Sequence, residues 1–190
     1  MTRLFRGPYE VLGTEEIYRN PWIRLHEDQV IRPGGSHGVF GVVEMKEGSS
    51  VLAMDEDGTV YLVREYKYAI GRDSLELMSG ALEAGESPLE AAKRELREEL
   101  GLIADVWIPF GTVDPFTTVI RSPNYMFLAR KLRPAESSPD EGEVLNIVKV
   151  PFATAEKMVL GGEITHAASC VLLLKAGLYL RSQEPVPISF

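Results

Sequence analysis

Gly80-Ala81-Leu82-Glu83-Ala84-Gly85-Glu86-Ser87-Pro88-Leu89-Glu90-Ala91-Ala92-Lys93-Arg94-Glu95-Leu96-Arg97-Glu98-Glu99-Leu100-Gly101-Leu102 is the stretch on which the reading of this chain turns. Its boundary signals predict a helix. Ser87 stands at the N-cap and Pro88 at the first helical position, Glu90 is placed to close a capping box, and Gly101 is the C-terminal stop. At about 100° per residue, Leu89, Ala92, Leu96 and Leu100 form one stripe that faces a core. Glu95, Glu98 and Glu99 crowd into a single arc beside it. Three like charges at i,i+3 and i,i+4 spacing cost a few tenths of a kcal/mol per pair. They also lie toward the helix C-terminus, where the macrodipole disfavours anions. Converging hard oxygen ligands suit magnesium, which takes one or two carboxylates and leaves its other positions to water and substrate phosphate. A solvated surface, with Glu90 and Glu98 paired to Arg94 at i,i+4, is the better reading of these carboxylates taken alone. The flanking residues decide against it.

Outward from this helix, the chain of 190 residues suits one domain with a modest extension. With 45% hydrophobic and 25% charged residues it has the balance of an ordered globular protein rather than a disordered one. Its net charge of −8 argues against nonspecific nucleic-acid binding, which depends on lysine and arginine neutralising phosphates. Clustered carboxylates holding a divalent cation would reverse the local sign, so this acidity is compatible with a phosphate substrate. No apolar run approaches the ~20 residues that span a bilayer, and the first ten residues carry no signal-peptide stretch, so a cytoplasmic protein without membrane contact is expected. Cys170 is the single cysteine, which excludes an intrachain disulfide or a paired-cysteine zinc site.

No repeat or low-complexity segment is visible. Glu15–Arg19, Trp22–Ile31 and Val39–Met45 read as strands around a Pro33-Gly34-Gly35 turn, an antiparallel extension over residues 1–48. In the domain expected over 49–190, Ser50–Met54 and Val60–Glu65 flank a hairpin connection at Asp57-Gly58. Further strands are expected at Leu75–Met78, Ile103–Thr112, Asn124–Ala129 and Leu145–Val150, with Arg133–Glu143 as a loop. Thr154–Leu160 and His166–Leu180 read as helices, the second apolar nearly all round and so packed into the core. Irregularly interleaved strands and helices make this α+β with a mixed sheet. Tyr66, Tyr68, Trp22 and Phe116 could stack on a base, but core packing is the favoured expectation. His26, His37 and His166 lie at no ligand spacing and receive no catalytic role.

Gly80, then Glu86, then Arg94-Glu95-Leu96-Arg97-Glu98-Glu99-Leu100-Gly101-Leu102, at these spacings, resemble the Nudix box at every defined position. The looser hallmarks Val63 to Tyr68, Leu75-Glu76-Leu77 and the acidic Asp140-Glu141-Gly142-Glu143 are similar to the branch that hydrolyses ADP-ribose and nucleoside-diphosphate sugars. The resemblance implies an α/β/α sandwich with a mixed sheet and an N-terminal antiparallel β extension. It implies magnesium, or manganese, held by Glu95, Glu98 and Glu99, with the Ser79 carbonyl as a further ligand. Gly80 would shape the loop, Glu86 and Arg94 would pair to orient loop against helix, and Gly101 would end the helix. Glu98 would be catalytic through its metal, and Glu141 or Glu143 would act as general base. Arg64, Lys67 and Glu76 would contact the substrate. In that branch the extension exchanges strands in a homodimer and contributes to the nucleobase pocket.

The reaction so implied cleaves the pyrophosphate bond of an ADP-ribose-like substrate, giving a nucleoside monophosphate and a sugar phosphate. GDP-mannose, another nucleotide sugar or NADH are alternative substrates, and a noncatalytic nucleotide-sugar sensor is the rival of another class. Two departures leave the substrate open. Met78-Ser79 stand where the branch usually has Pro-Ala before the box glycine, and a proline expected beyond the box is replaced by Thr117 and Thr118.

Overall fold

The computed structural model describes residues 4–137 and 145–182, with strands and helices numbered below along the chain. The chain divides into two units, Met1–Lys46 with Asp114–Ser122, and Glu47–Val113 with Pro123–Phe190. The expected division left 114–122 in the second domain. Backbone pairing moves it: β10 (Ile120–Arg121) runs parallel to β4 (His37–Met45), and the Val43 N–H donates to the Val119 carbonyl at 2.8 Å.

In the first unit, β1 (Leu4–Arg6), β2 (Tyr9–Arg19), β3 (Ile23–Ile31) and β4 form an antiparallel meander in chain order, with β10 at its edge. The turn between β3 and β4 closes with Gly35 at φ 82°, a value only glycine adopts freely. Strand β2 begins well before the expected Glu15. A register shift between Val11 and Gly13 breaks the alternation that reveals a strand in sequence.

The second unit holds a mixed sheet of order β8-β5-β11-β9 and an antiparallel one of order β12-β6-β7. Strand β5 (Gly48–Ala53) pairs in parallel with β11 (Asn124–Pro134), and β9 (Leu102–Val113) and β8 (Met78–Ala81) flank this pair antiparallel. Strand β6 (Thr59–Lys67) lies between β12 (Asn146–Pro151) and β7 (Arg72–Glu76).

The period of two along a strand sends alternate residues to opposite faces. Val51 and Ala53, Tyr61 and Val63, and Phe127 and Ala129 pack with Ala92, Leu96 and Leu100 of α1 (Pro88–Leu100). Their neighbours Leu52, Met54, Val60, Leu62, Met126 and Leu128 pack with Ala155 of α2 (Phe152–Gly161) and Leu172, Leu173 and Ala176 of α3 (Ala167–Ser182). The second unit is therefore helix, sheet and helices in layers, an α+β fold with a mixed sheet.

Two expectations need correction. Leu75–Met78 is not one strand: the chain leaves β6 after Glu76 and joins β5 from Met78, with Leu77 at the crossing. Side-chain alternation continues through the crossing, so the apolar pattern hides the change of partner. Helix α3 does pack into the core through Leu172, Leu173 and Ala176, as expected, but its apolar character all round overstates how much of it is covered. Leu174 and Leu178 are 40% and 66% exposed, because the sheet covers only one side of it.

Candidate active site

The helix α1 is fixed at both ends by its own sequence. The Ser87 side chain accepts the Glu90 N–H at 3.3 Å and the Glu90 carboxylate accepts the Ser87 N–H at 2.9 Å, closing the capping box. At the other end Gly101 takes φ 61° and donates its N–H to the Arg97 carbonyl. The C-terminal turn is then tied to the chain that follows β11. The Ser137 hydroxyl donates to the Glu98 carbonyl at 2.8 Å and the Ala135 N–H to the Gly101 carbonyl at 2.8 Å.

Arg94 organises the polar face. Its Nε and Nη2 donate to the two oxygens of Glu86 at 2.9 and 3.0 Å, and Nη2 also donates to the Ala81 carbonyl at 3.0 Å. Its Nη1 donates to Glu95 at 2.8 Å and to Glu98 at 3.0 Å. All five N–H donors of the guanidinium are thereby placed. The Glu86 carboxylate accepts a further bond from the Glu83 N–H at 2.9 Å. The bond from Arg94 holds the Glu86 carboxyl below the usual carboxylate range, against the opposing effect of its burial. The loop from Ala81 to Glu86 is thus latched onto the helix by one side chain.

Gly80 lies against this cluster. A Cβ at Gly80 would sit 1.9 Å from the Glu95 carboxylate, so any larger residue would push that side chain from the position it holds here. In register beside it, the Ser79 and Ser50 hydroxyls are 2.7 Å apart. Among the described residues no three His, Cys, Asp or Glu side chains converge as a metal-holding group. Glu95 and Glu98 are instead turned onto Arg94. Glu99, half-buried on the same helix, acts electrostatically on Lys67 at the end of β6.

Around Lys67 a second polar group assembles. Burial opposes its charge, but its own hydrogen bond to the Glu65 carboxylate and the fields of Glu76 and Glu99 outweigh this and raise its pKa. Glu76, at the end of β7, lies 3.4 Å from His166 Nδ1. Burial holds the His166 imidazole below the ordinary histidine range, with Glu76 pulling it up and Lys67 pushing it down. Arg64 is exposed on β6, opposite Asn146 of β12. Glu141 and Glu143 lie outside the described residues. Trp22, Tyr66, Tyr68 and Phe116 are exposed rather than in the core, at strand ends and turns where no layer covers them.

His166 and Ser169 had no signal in the sequence. Ser169 meets Leu77 across a sequence separation of 92, and His166 belongs to no motif. The helix start at His166 was legible, but not what it would face.

Residues 45–167 match the family model described as NUDIX domain, and residues 9–43 match the one described as nucleoside diphosphate sugar hydrolase N-terminal domain. The chain is 33% identical over 163 residues to an ADP-ribose pyrophosphatase of Mycobacterium tuberculosis, covering 84% of this chain and 78% of that one. It is 28% identical over 166 residues to an ADP-ribose pyrophosphatase of Bacillus subtilis, covering 83% and 86%. A crystal structure of an ADP compounds hydrolase superposes with a TM-score of 0.81 at 24% identity, over 93% of this chain and 96% of that one. That likeness is one of fold.

Proposed function

This chain belongs to the NUDIX family, and from that premise we propose that it hydrolyses the pyrophosphate bond of a nucleoside diphosphate linked to a sugar, ADP-ribose foremost. The observation that carries the reading is the latch of Arg94 on Glu86, which holds a glycine-containing loop against a helix face bearing Glu95, Glu98 and Glu99. The match of residues 9–43 to a nucleoside diphosphate sugar hydrolase N-terminal domain supports the substrate class.

The oxygen chemistry of the donor set suits a divalent cation, magnesium first and manganese second, although among the described residues the carboxylates do not converge as one group. Glu95, Glu98 and Glu99 with the Ser79 carbonyl would hold it through hard oxygens, and the missing Cβ of Gly80 lets the Glu95 carboxylate lie against the Gly80 backbone. Such an ion neutralises charge that develops on the diphosphate as the anhydride bond breaks. The chain's own residues do the rest. Water attacks phosphorus, the bond to the bridging oxygen breaks, and a carboxylate, Glu141 or Glu143, accepts the proton of the attacking water. Ser137, bonded to the Glu98 carbonyl, and Asn146, opposite Arg64, flank the segment carrying those two glutamates. Arg64 and Lys67 meet substrate phosphate, and Glu76 accepts from sugar hydroxyls.

A homodimer with exchanged N-terminal strands accompanies this reading. Leu12, Ile17, Tyr18, Trp22 and Val39 of the first unit are about half exposed or more, a concentration of apolar side chains that an interface would cover. Among the described residues no helix is long and apolar enough to cross a membrane, and we place the enzyme in the cytoplasm.

The test is incubation with Mg²⁺ and a panel of ADP-ribose, nucleotide sugars, NADH and dinucleoside polyphosphates, with identification of products. A nucleoside monophosphate and a sugar phosphate are expected. Nucleotide binding without turnover of any compound would make the protein a sensor. Glu98→Gln or Glu99→Gln should lower turnover by about 10²–10³-fold with the fold retained, the scale on which one preorganised electrostatic group acts. Near-normal turnover in both would refute the ligand assignment.

A further inference from the structure

The chain crosses between sheets at Leu77, three residues before Gly80, and its backbone there has left one ladder without entering the next. A buried N–H at such a point needs a partner. The fully buried Ser169 hydroxyl of α3 supplies it, accepting the Leu77 N–H at 2.8 Å. The same oxygen lies 2.9 Å from His166 Nδ1, which in turn lies 3.4 Å from the Glu76 carboxylate. Next to these, Arg72 donates to the Thr165 hydroxyl at 2.8 Å. The first turn of α3 and the residues just before it therefore grip β7 and the crossing through three side chains.

We infer that His166 is a positioning residue, holding the Glu76 carboxylate in the orientation in which it meets the sugar of the substrate. The inference rests on the assignment of Glu76 as a substrate contact.

Its chemistry follows from the neighbours of Nδ1. A lone pair on that nitrogen would face a carboxylate, whereas an N–H there donates toward both Glu76 and Ser169, so the Nδ1–H tautomer is favoured. Nε2 is then the acceptor. The Glu76 carboxylate lies 3.4 Å from Nδ1 of His166, just before α3, and in the field of Lys67 from β6, while Glu65 keeps Lys67 at the strand end. The charged groups acting on the imidazole are Glu76 and Lys67, with Arg72 engaged on the adjacent Thr165. A packing histidine would require none of this polarity.

The test compares His166→Leu and His166→Asn, the second keeping an N–H able to reach Ser169 and Glu76. ADP-ribose binding by calorimetry, steady-state kinetics and imidazole NMR titration are the readouts. His166→Leu should weaken ADP-ribose binding and raise KM about tenfold while kcat stays within about twofold, the pattern of lost uniform binding. His166→Asn should restore most of the affinity. In Glu76→Gln the imidazole should titrate at a lower pH than in the unaltered protein, because the carboxylate that favours the proton is gone. Unchanged affinity in His166→Leu, or an imidazole titration indifferent to Glu76→Gln, overturns the inference. A protein that binds and cleaves no nucleotide sugar while its imidazole still responds to Glu76→Gln would instead locate the failure in the assigned substrate.

Discussion

At the scale of single residues, the site depends on one side chain with every donor engaged and one position without a side chain at all. The five N–H groups of Arg94 are divided among Glu86, Glu95, Glu98 and the Ala81 carbonyl, and Gly80 leaves the space that Glu95 fills. Gly80→Ala should displace the Glu95 carboxylate and lower kcat/KM by about 10²-fold, the scale of an ångström-sized misplacement of a working group. The check is steady-state kinetics beside a thermal melt, and turnover close to that of the unaltered protein would remove the steric account. The Glu86 and Arg94 pairing was legible from the sequence through the resemblance alone, since a separation of eight belongs to no local helix rule. Arg94 to Glu98 was legible from i,i+4 spacing. Arg94 to Glu95 was not, because adjacent helical residues do not face one another by spacing and meet here only through the length of the arginine.

At the scale of elements, α1 was readable to the residue because everything that defines it is local: N-cap, capping box, proline, stripe and stop glycine. Ser87→Ala removes the acceptor for the Glu90 N–H and should cost about 1 kcal/mol of stability, measured by urea unfolding. A loss indistinguishable from zero would mean that tertiary packing alone sets the helix start. Elements whose identity depends on distant partners were read less well. Leu75 and Leu77 join one buried cluster and Met78 the other, so side chains keep going to alternate faces and nothing local reports that the chain changes sheets at Leu77. The all-round apolar character of α3 likewise does not reveal how many sides a neighbour will cover, and Leu178 is left exposed.

At the scale of the whole molecule, the depressed pKa values of His166 and Glu86 give the protein a stepped response to acid. In the unfolded chain a histidine takes up its proton near pH ~6.5, whereas the buried His166 imidazole resists it to lower pH. Between those values the unfolded state binds more protons, so stability falls as pH drops through that window and His166 adds nothing further below it. Glu86, held low by Arg94, contributes stability at neutral pH that is lost only as pH falls through and below the ordinary carboxylate range. Melting temperatures followed from pH 7.5 to 4 should show an early decline that His166→Asn abolishes, and the same early decline in both proteins would contradict this account. The fold class and the helix of the site were legible, whereas the placement of Asp114–Ser122 with the first unit was not, since a two-residue parallel pairing leaves no pattern in the sequence. The parallel pairing of β5 with β11 carries one more consequence, for the order in which the molecule is made. Helix α1 can nucleate on its own caps, but its seat is built from Val51 and Ala53 on one side and Phe127 and Ala129 on the other. Closing so long a loop is slow, and it brings together strands that leave the ribosome far apart in time. A nascent chain halted before β11 therefore displays the carboxylate helix, already capped, over half a groove, and gains the site's rigidity only with the last strands.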